Sequence, residues 1–301
     1  MFFLSFTTCA FGLEFSDVTE NSRAKLPDDF YYRKDYRVQW WYFTGHLSDE
    51  TGREFGYELT FFAVGVQKRE YKSRFGVRNI YISHFALSDV KNRSFLYSES
   101  ADAGAFGFAG AEEKGLGMWV GHNSLRGTYE LMQIRAFDKD KGIALDLLLS
   151  PAKPVVLNGD AGYSRKSEKS PLLASLYFSY TDLATNGTLT IGGRTFRVKG
   201  KSWFDREMSS RGLDASERGW DWFSIQLADN REVMLYLIRK KTDQSIDIPQ
   251  APSFTGTEAL NIFPSRTSKS LSSPITVLQR QGPSILQDGG LQFPLKTLTS
   301  R

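Results

Sequence analysis

QWWYFTGHLSDETGREFGYELTFF, running from Gln39 to Phe62, decides the fold class. On either side of Asp49-Glu50-Thr51-Gly52 the side chains alternate with period two and aromatic residues are abundant, as in two strands joined by a tight turn. The alternation puts Trp40, Tyr42, Thr44 and His46 on one face and Phe43, Gly45 and Leu47 on the other. The second face is apolar. The first mixes rings with hydrogen-bonding groups, the character expected of a barrel or sandwich interior that receives a ligand. The same pattern also fits a barrel base closed by Trp and Tyr whose polar tips are satisfied internally.

A second stretch echoes the first. GWDWFSIQLADNREVMLYLIR, Gly219 to Arg239, matches Trp220 to Trp40, Trp222 to Tyr42, Phe223 to Phe43, Ser224 to Thr44, Leu227 to Leu47 and Asp229 to Asp49. Gln226 takes the place of His46, and Arg231-Glu232 that of Arg53-Glu54 after a shorter turn. Repeats at this spacing indicate a duplicated β unit, not a solenoid of short repeats. Further hairpin turns are predicted at Asp138 to Gly142, Gly192-Gly193 and Asp229-Asn230. The glycine-rich AGAFGFAGAEEKGLG, Ala103 to Gly117, reads as a flap or a broken edge, and no stretch sustains a helical stripe.

The chain has 301 residues, 41% hydrophobic and 14% aromatic, enough for a sizeable core. Lys and Arg exceed Asp and Glu by four, 38 against 34, without a basic run, so no nucleic-acid partner is expected. The single Cys9 excludes an internal disulfide, and three scattered histidines without Cys partners do not make a structural zinc site. The N-terminal MFFLSFTTCAFG resembles the end of an export signal or else is a frayed apolar tail; Phe6 stands where a lipobox wants Leu, which makes Cys9 a poor site for lipidation. Export to the periplasm or outside the cell, with peripheral membrane association through the N-terminus, is the corresponding expectation. No other apolar run approaches the ~18 residues of a membrane span.

In order along the chain, QWWYFTGHL, GREFGYELTFF, ISHFALSDV, LLLSPAKPVVLNGDAGYSRK, ASLYFSYT, GTLTIGG, KSWFDREMSS and GWDWFSIQL resemble the AttH-like and carotenoid 1,2-hydratase (hydroxyneurosporene synthase) family, from about Phe30 to about Arg239. The resemblance implies an all-β protein of two tandem lipocalin-like barrel domains with a ligand site near where they meet. Residues 1–30 would be signal-like or flexible, 31–190 the first domain and 191–301 the second. It also implies a hydrophobic small-molecule ligand, isoprenoid- or polyketide-like. Many bacterial members are exported and described only as secreted hydrolases, and fungal relatives act as cyclases in decalin biosynthesis. Two departures stand out. Gln39 replaces the Glu usual before the paired tryptophans, and the pattern dissolves after about Asp247, so the second domain is expected to be incomplete.

KSWFDREMSS, Lys201 to Ser210, carries the candidate chemistry. As a strand it sets Trp203, Asp205 and Glu207 on one face and Phe204 and Arg206 on the other. Burial and like-charge repulsion would raise the carboxyl pKa values and keep one protonated near neutrality, giving a proton donor that needs no cofactor and no metal. The family's hydratases protonate a terminal carbon–carbon double bond and let water trap the cation, and their acid lies in a glycine-aromatic-x-Asp segment that GKSWFD resembles. By that carry-over Asp205 is the acid, with Trp203, Trp220 or Trp222 offering ring faces to the cation. The competing reading is structural, with Arg206 bridging Asp205 or Asp221 as a bidentate clamp. Trp40, Tyr42, His46, His84, Trp220, Trp222 and Arg206 are the predicted ligand-binding residues, and His46 and His84 are also candidate bases. No G-x-S-x-G elbow occurs, so nucleophilic hydrolysis has no local support. An exported, non-catalytic lipid carrier is the alternative function.

Overall fold

The computed structural model describes residues 15–68, 76–167, 169–214 and 216–241, and the backbone of strands at 258–263 and 275–277. The expectations about the N-terminal signal and about the chain after Asp247 lie largely outside these residues. Among the described residues the regular secondary structure is almost wholly strand. In chain order these are β1 (Val38–Asp49), β2 (Glu54–Gly65), β3 (Asn79–Asp89), β4 (Ser94–Asp102), β5 (Ala109–Ala111), β6 (Leu116–Val120), β7 (Asn123–Gly127), β8 (Met132–Asp138) and β9 (Ile143–Pro151). They continue with β10 (Val156–Leu157), β11 (Tyr163–Arg165), β12 (Ala174–Ile191), β13 (Arg194–Ser209), β14 (Glu217–Leu227), β15 (Glu232–Lys240), β16 (Glu258–Phe263) and β17 (Ile275–Val277).

The first 13 strands make one antiparallel sheet in the order β4-β3-β2-β1-β13-β12-β9-β8-β7-β6-β5, with β10 and β11 pairing β12. It curls into a nearly closed, lipocalin-like barrel. Side chains tie its ends together, Asn123 of β7 to Ser83 of β3 at 2.8 Å and Ser98 of β4 to Asp138 beside the β8 turn at 2.6 Å. The other four strands form a smaller sheet, β16-β15-β14-β17. The turns fall where Gly, Asn and Asp predict them: Gly192 and Gly193 at φ 60° and 77°, Asn230 at 61°. Ala103 to Gly117 supplies a 3-10 turn at Ala105–Gly107, the short edge strand β5 and the start of β6, a broken edge as the sequence indicates. The domain boundary expected at residues 190 and 191 falls inside the β12–β13 hairpin, whose two strands both belong to the first sheet; the chain changes sheet between Ser209 and Glu217.

The barrel interior is filled by the apolar faces, with Trp41, Phe43, Leu59, Phe61, Phe178 and Phe204 almost fully buried in one cluster. Burial of such rings is the main stabilising contribution, roughly 1.5–3 kcal/mol for each fully buried large side chain. Gly45 is required on β1 because a Cβ there would meet Ser202 Oγ at 2.4 Å and the Lys201 carbonyl at 2.7 Å.

The mixed face of Trp40, Tyr42, Thr44 and His46 is not the barrel interior, as its character led one to expect. It lies on the outside of the barrel, where the second sheet packs on Trp40 and Tyr42. The purely apolar face wins the interior because it has no polar groups to satisfy. The mixed face finds its hydrogen-bond partners and ring contacts across the junction instead. There Tyr42, Tyr177, Trp203, Trp222, Met234 and Tyr236 form a second buried cluster. The echo acquires a physical meaning here: Trp40 stacks on its counterpart Trp220 (centroids 6.3 Å, 14° between planes), and Tyr42 meets Trp222 edge-on at 5.2 Å. A β-bulge between Tyr180 and Leu183 turns Thr181 toward the second sheet, where its carbonyl accepts from Gln226 Nε2 at 2.8 Å. Lys153 and Glu232 close the same junction with a buried ion pair at 2.8 Å.

Candidate active site

Asp205 sits mid-strand on β13 between β1 and β12, opposite Tyr42 on one side and Ser179 on the other. Its side chain leaves the sheet on the outer face and is 3% exposed under the second sheet. Trp203 Nε1 donates to Asp205 Oδ1 at 2.7 Å, Ser179 Oγ donates to the same oxygen, and the Tyr177 hydroxyl is a third donor. Two of the three donors are themselves fixed by hydrogen bonds: Asn158 Nδ2 donates to Ser179 Oγ at 2.9 Å, and Trp222 Nε1 donates to Tyr177 OH at 3.1 Å. Burial pushes the Asp205 pKa up to about 7, against the lowering by Ser179, Trp203 and Tyr177, and the charge of Glu207 adds a smaller upward push. Among the described residues no salt bridge reaches Asp205.

Glu207 lies on the same face two residues on and has a different environment. Lys166, just beyond β11, pairs with its Oε1 at 2.7 Å, and Ser175 donates to the same oxygen. Lys166 lies over the rings of Tyr177 and Tyr236, 4.8 Å from each. Burial works against its charge, yet Glu207 and the other anionic neighbours hold its pKa above the ordinary lysine value. Two carboxyls side by side therefore differ in role, one in a salt bridge with an ammonium and the other buried with hydrogen-bond donors but no salt bridge among the described residues.

Arg206 points the other way, as the alternation requires, and is fully buried. The clamp on Asp205 or Asp221 does not form, because strand geometry sends Arg206 and Asp205 to opposite faces and Asp221 pairs with Arg239 at 3.7 Å. The Arg206 guanidinium donates to the carbonyls of Asp29 (3.0 Å), Tyr31 (2.8 Å) and Glu207 (3.0 Å) and to Gln39 Oε1 (2.8 Å), and lies 3.9 Å from the Trp41 ring centroid. It fastens the N-terminal 3-10 turn (Asp28–Phe30) to β13 and does not face the Asp205 cluster. Gln39, where the family pattern has Glu, also donates through Nε2 to the Arg33 carbonyl at 2.6 Å, a bond a carboxylate could not make.

The AttH-like family model matches residues 17–259. The chain belongs to the AttH-like family. Among solved structures it is similar to an AttH protein from Nitrosomonas europaea, with 29% identity over 76% of this chain and 68% of that one and a TM-score of 0.68. It is similar in fold to kievitone hydratase from Nectria haematococca, with 13% identity over 83% of this chain and 69% of that one and a TM-score of 0.55. No curated protein matches it.

In this AttH-like chain the structure brings Asp205, Glu207, Trp203, Tyr42, Trp40, Trp220 and Trp222 to one junction. Trp203 meets Trp222 edge-on at 6.0 Å, so its ring is held by the same residue that orients Tyr177. His46 and His84 lie on the same outer face but apart from Asp205. His46 is opposite Lys201, toward the far end of β1, and burial lowers its pKa against the pull of Glu54. His84 is three strands from Asp205, beside Glu58 and Glu99. Sequence reasoning missed Tyr177, Ser179, Asn158, Lys166 and Glu58. Tyr177 and Ser179 were accessible through the alternation in ASLYFSYT, and Glu58 as the lone charge inside GYELTFF. Lys166 carries no sequence signal, since only the fold turns its loop back over β12.

Proposed function

We propose that this AttH-like protein binds a hydrophobic small molecule, isoprenoid- or polyketide-like, at the junction of its two sheets and hydrates or cyclises it with Asp205 as general acid. The observation that supports this most is a buried carboxyl with no salt bridge among the described residues, in reach of three ring systems, with its pKa raised to about 7. Such a group holds a proton near neutrality and can release it, which is what a general acid needs. Trp203 and Ser179 both donate to Oδ1, and Tyr177 adds a third hydrogen bond to the same carboxyl.

The step is the transfer of that proton to one carbon of an alkene, the π pair forming the new C–H bond and leaving a tertiary cation on the other carbon. Water then supplies the electron pair of a C–O bond in hydration, or a second double bond closes a ring in cyclisation. The proton then lost from the oxygen, or from carbon, returns to the Asp205 carboxylate. The faces of Trp203 and Trp222 stabilise the cation by roughly 1–2 kcal/mol each when desolvated. The three donors that oppose the raised pKa stabilise the carboxylate left behind, while Glu207, paired with Lys166, stays out of the proton transfer. Export is part of the same reading, supported by the apolar N-terminal stretch.

The test is native mass spectrometry of the purified full chain to identify a co-purifying apolar ligand, followed by turnover of that compound by wild type and Asp205→Asn. The reading predicts a loss on the order of 10² to 10⁴-fold in rate with binding retained. Equal turnover removes Asp205 as the acid. A bound ligand that is never converted by wild type identifies a carrier instead.

A further inference from the structure

The face that carries Asp205 extends across the barrel beyond the junction. The register sets Asp205 across from Tyr42, Tyr42 across from Thr60, Thr60 across from His84, and His84 across from Glu99, one row over five strands. Trp40 and Phe62, the next pair along, flank the row with ring centroids 6.3 Å apart, and Phe62 reaches the His84 ring at 5.2 Å. An aromatic floor therefore connects Asp205 with a second group of titratable side chains.

That group is built around Glu58, which is 9% exposed. Among the described residues no salt bridge engages it, and its hydrogen bond comes from Thr60, two residues along the same strand. His84 lies diagonally across from it, 3.8 Å from Glu99 through Nε2 to Oε2, and Glu99 in turn accepts from Tyr97 OH at 2.8 Å. A buried carboxyl without a cation is costly and is seldom kept for packing alone.

We propose that Glu58, Thr60 and His84 form a second, hydrogen-bonding subsite on the face that carries Asp205, and that it takes the carbonyl or hydroxyl group of a neutral, elongated, otherwise apolar ligand. This rests on the reading of the junction as a ligand site and adds a chemical class to it. Three strand spacings of about 4.8 Å put His84 roughly 14 Å from Asp205, and two put Thr60 roughly 10 Å away. The substrate would thus carry its polar group that far from the carbon that Asp205 protonates. The electrostatics agree with the geometry. Burial raises Glu58 to about 8, against Thr60, and lowers His84 to about 4, against Glu99. At neutral pH the carboxyl is then an O–H donor and the imidazole is uncharged, a set suited to neutral oxygen groups and poor for anions.

The test is fluorescence titration of the full chain with the neutral ketone 6-propionyl-2-(dimethylamino)naphthalene and with its carbonyl-free analogue 6-propyl-2-(dimethylamino)naphthalene. Wild type is expected to bind the ketone about tenfold more tightly, the worth of one buried hydrogen bond. Glu58→Met is expected to abolish that preference and leave the analogue's Kd unchanged. Glu58→Gln, which keeps an N–H donor at the same place, is expected to retain it and decides the matter should the Met variant not fold. If wild type binds both probes equally, or if the preference survives Glu58→Met, the subsite is refuted while the junction remains a ligand site. If wild type binds neither probe, the junction reading falls and the subsite with it.

Discussion

Replacing Asp205 with Asn tests the buried-acid account through stability alone, without knowledge of the substrate. The amide has the size of the protonated carboxyl and can keep its oxygen toward Trp203 Nε1 and Ser179 Oγ. In the folded wild type Asp205 holds its proton up to about pH 7, and in the unfolded chain only up to its ordinary value of 3.8. Below 3.8 both states are protonated and the folded carboxyl is fully tolerated. As the pH rises from there the folded state binds more protons than the unfolded one, so stability falls, and above about 7 the whole penalty is present. At about 1.4 kcal/mol per pH unit the full interval is worth about 4 kcal/mol, and its part between pH 5 and 7 about 3 kcal/mol. Asn does not titrate, and Glu58 is common to both proteins. Urea unfolding followed by tryptophan fluorescence at pH 5 and pH 8 should therefore show Asp205→Asn gaining about 3 kcal/mol on wild type between the two conditions. A difference that stays constant with pH, or wild type gaining on the variant as pH rises, would mean an ordinary ionised aspartate and would refute the reasoning.

Further outcomes follow from neighbouring contacts. Trp203→Phe removes a donor that favours ionised Asp205, so the pKa should rise by about one pH unit and the acid's limb of a turnover–pH profile should move upward with it. A downward shift would contradict the hydrogen bond's role. Lys153→Met leaves Glu232 buried and without its ion-pair partner at the junction of the two sheets and should cost about 3–5 kcal/mol in urea unfolding, with most of it recovered by adding Glu232→Gln. A double variant no better than the single one would show that packing of the lysine stem, not charge, holds the junction.

Much of the architecture was legible in the residues. Period-two alternation with Gly, Asn and Asp at the turns gave the hairpins, and the alternation in KSWFDREMSS placed Trp203, Asp205 and Glu207 together with Arg206 opposed, as the structure has them. The echo gave two related β units, and their matched rings prove to pack against one another, Trp40 stacked on Trp220 and Tyr42 edge-on to Trp222. What alternation cannot say is which face turns inward. The mixed face fits the inside of a barrel or an interface equally well, and only the competition with the fully apolar face of Phe43 and Leu59 settles it. Register was also out of reach. The row from Asp205 to Glu99 depends on how five strands slide against one another, so Glu58 and His84 stayed isolated letters in separate motifs. Partners such as Lys166 come from loops whose path is set by long-range packing, which no local pattern encodes.

The protonation state of Asp205 can be read directly from the carboxyl C=O stretch in infrared difference spectra of wild type against Asp205→Asn, taken across pH 4 to 9. A protonated-carboxyl band present in wild type, absent from the variant and fading around pH 7 is the predicted result. A difference band already lost by pH 5 would show a carboxylate that ionises as in water, and the junction would then hold no acid at neutral pH.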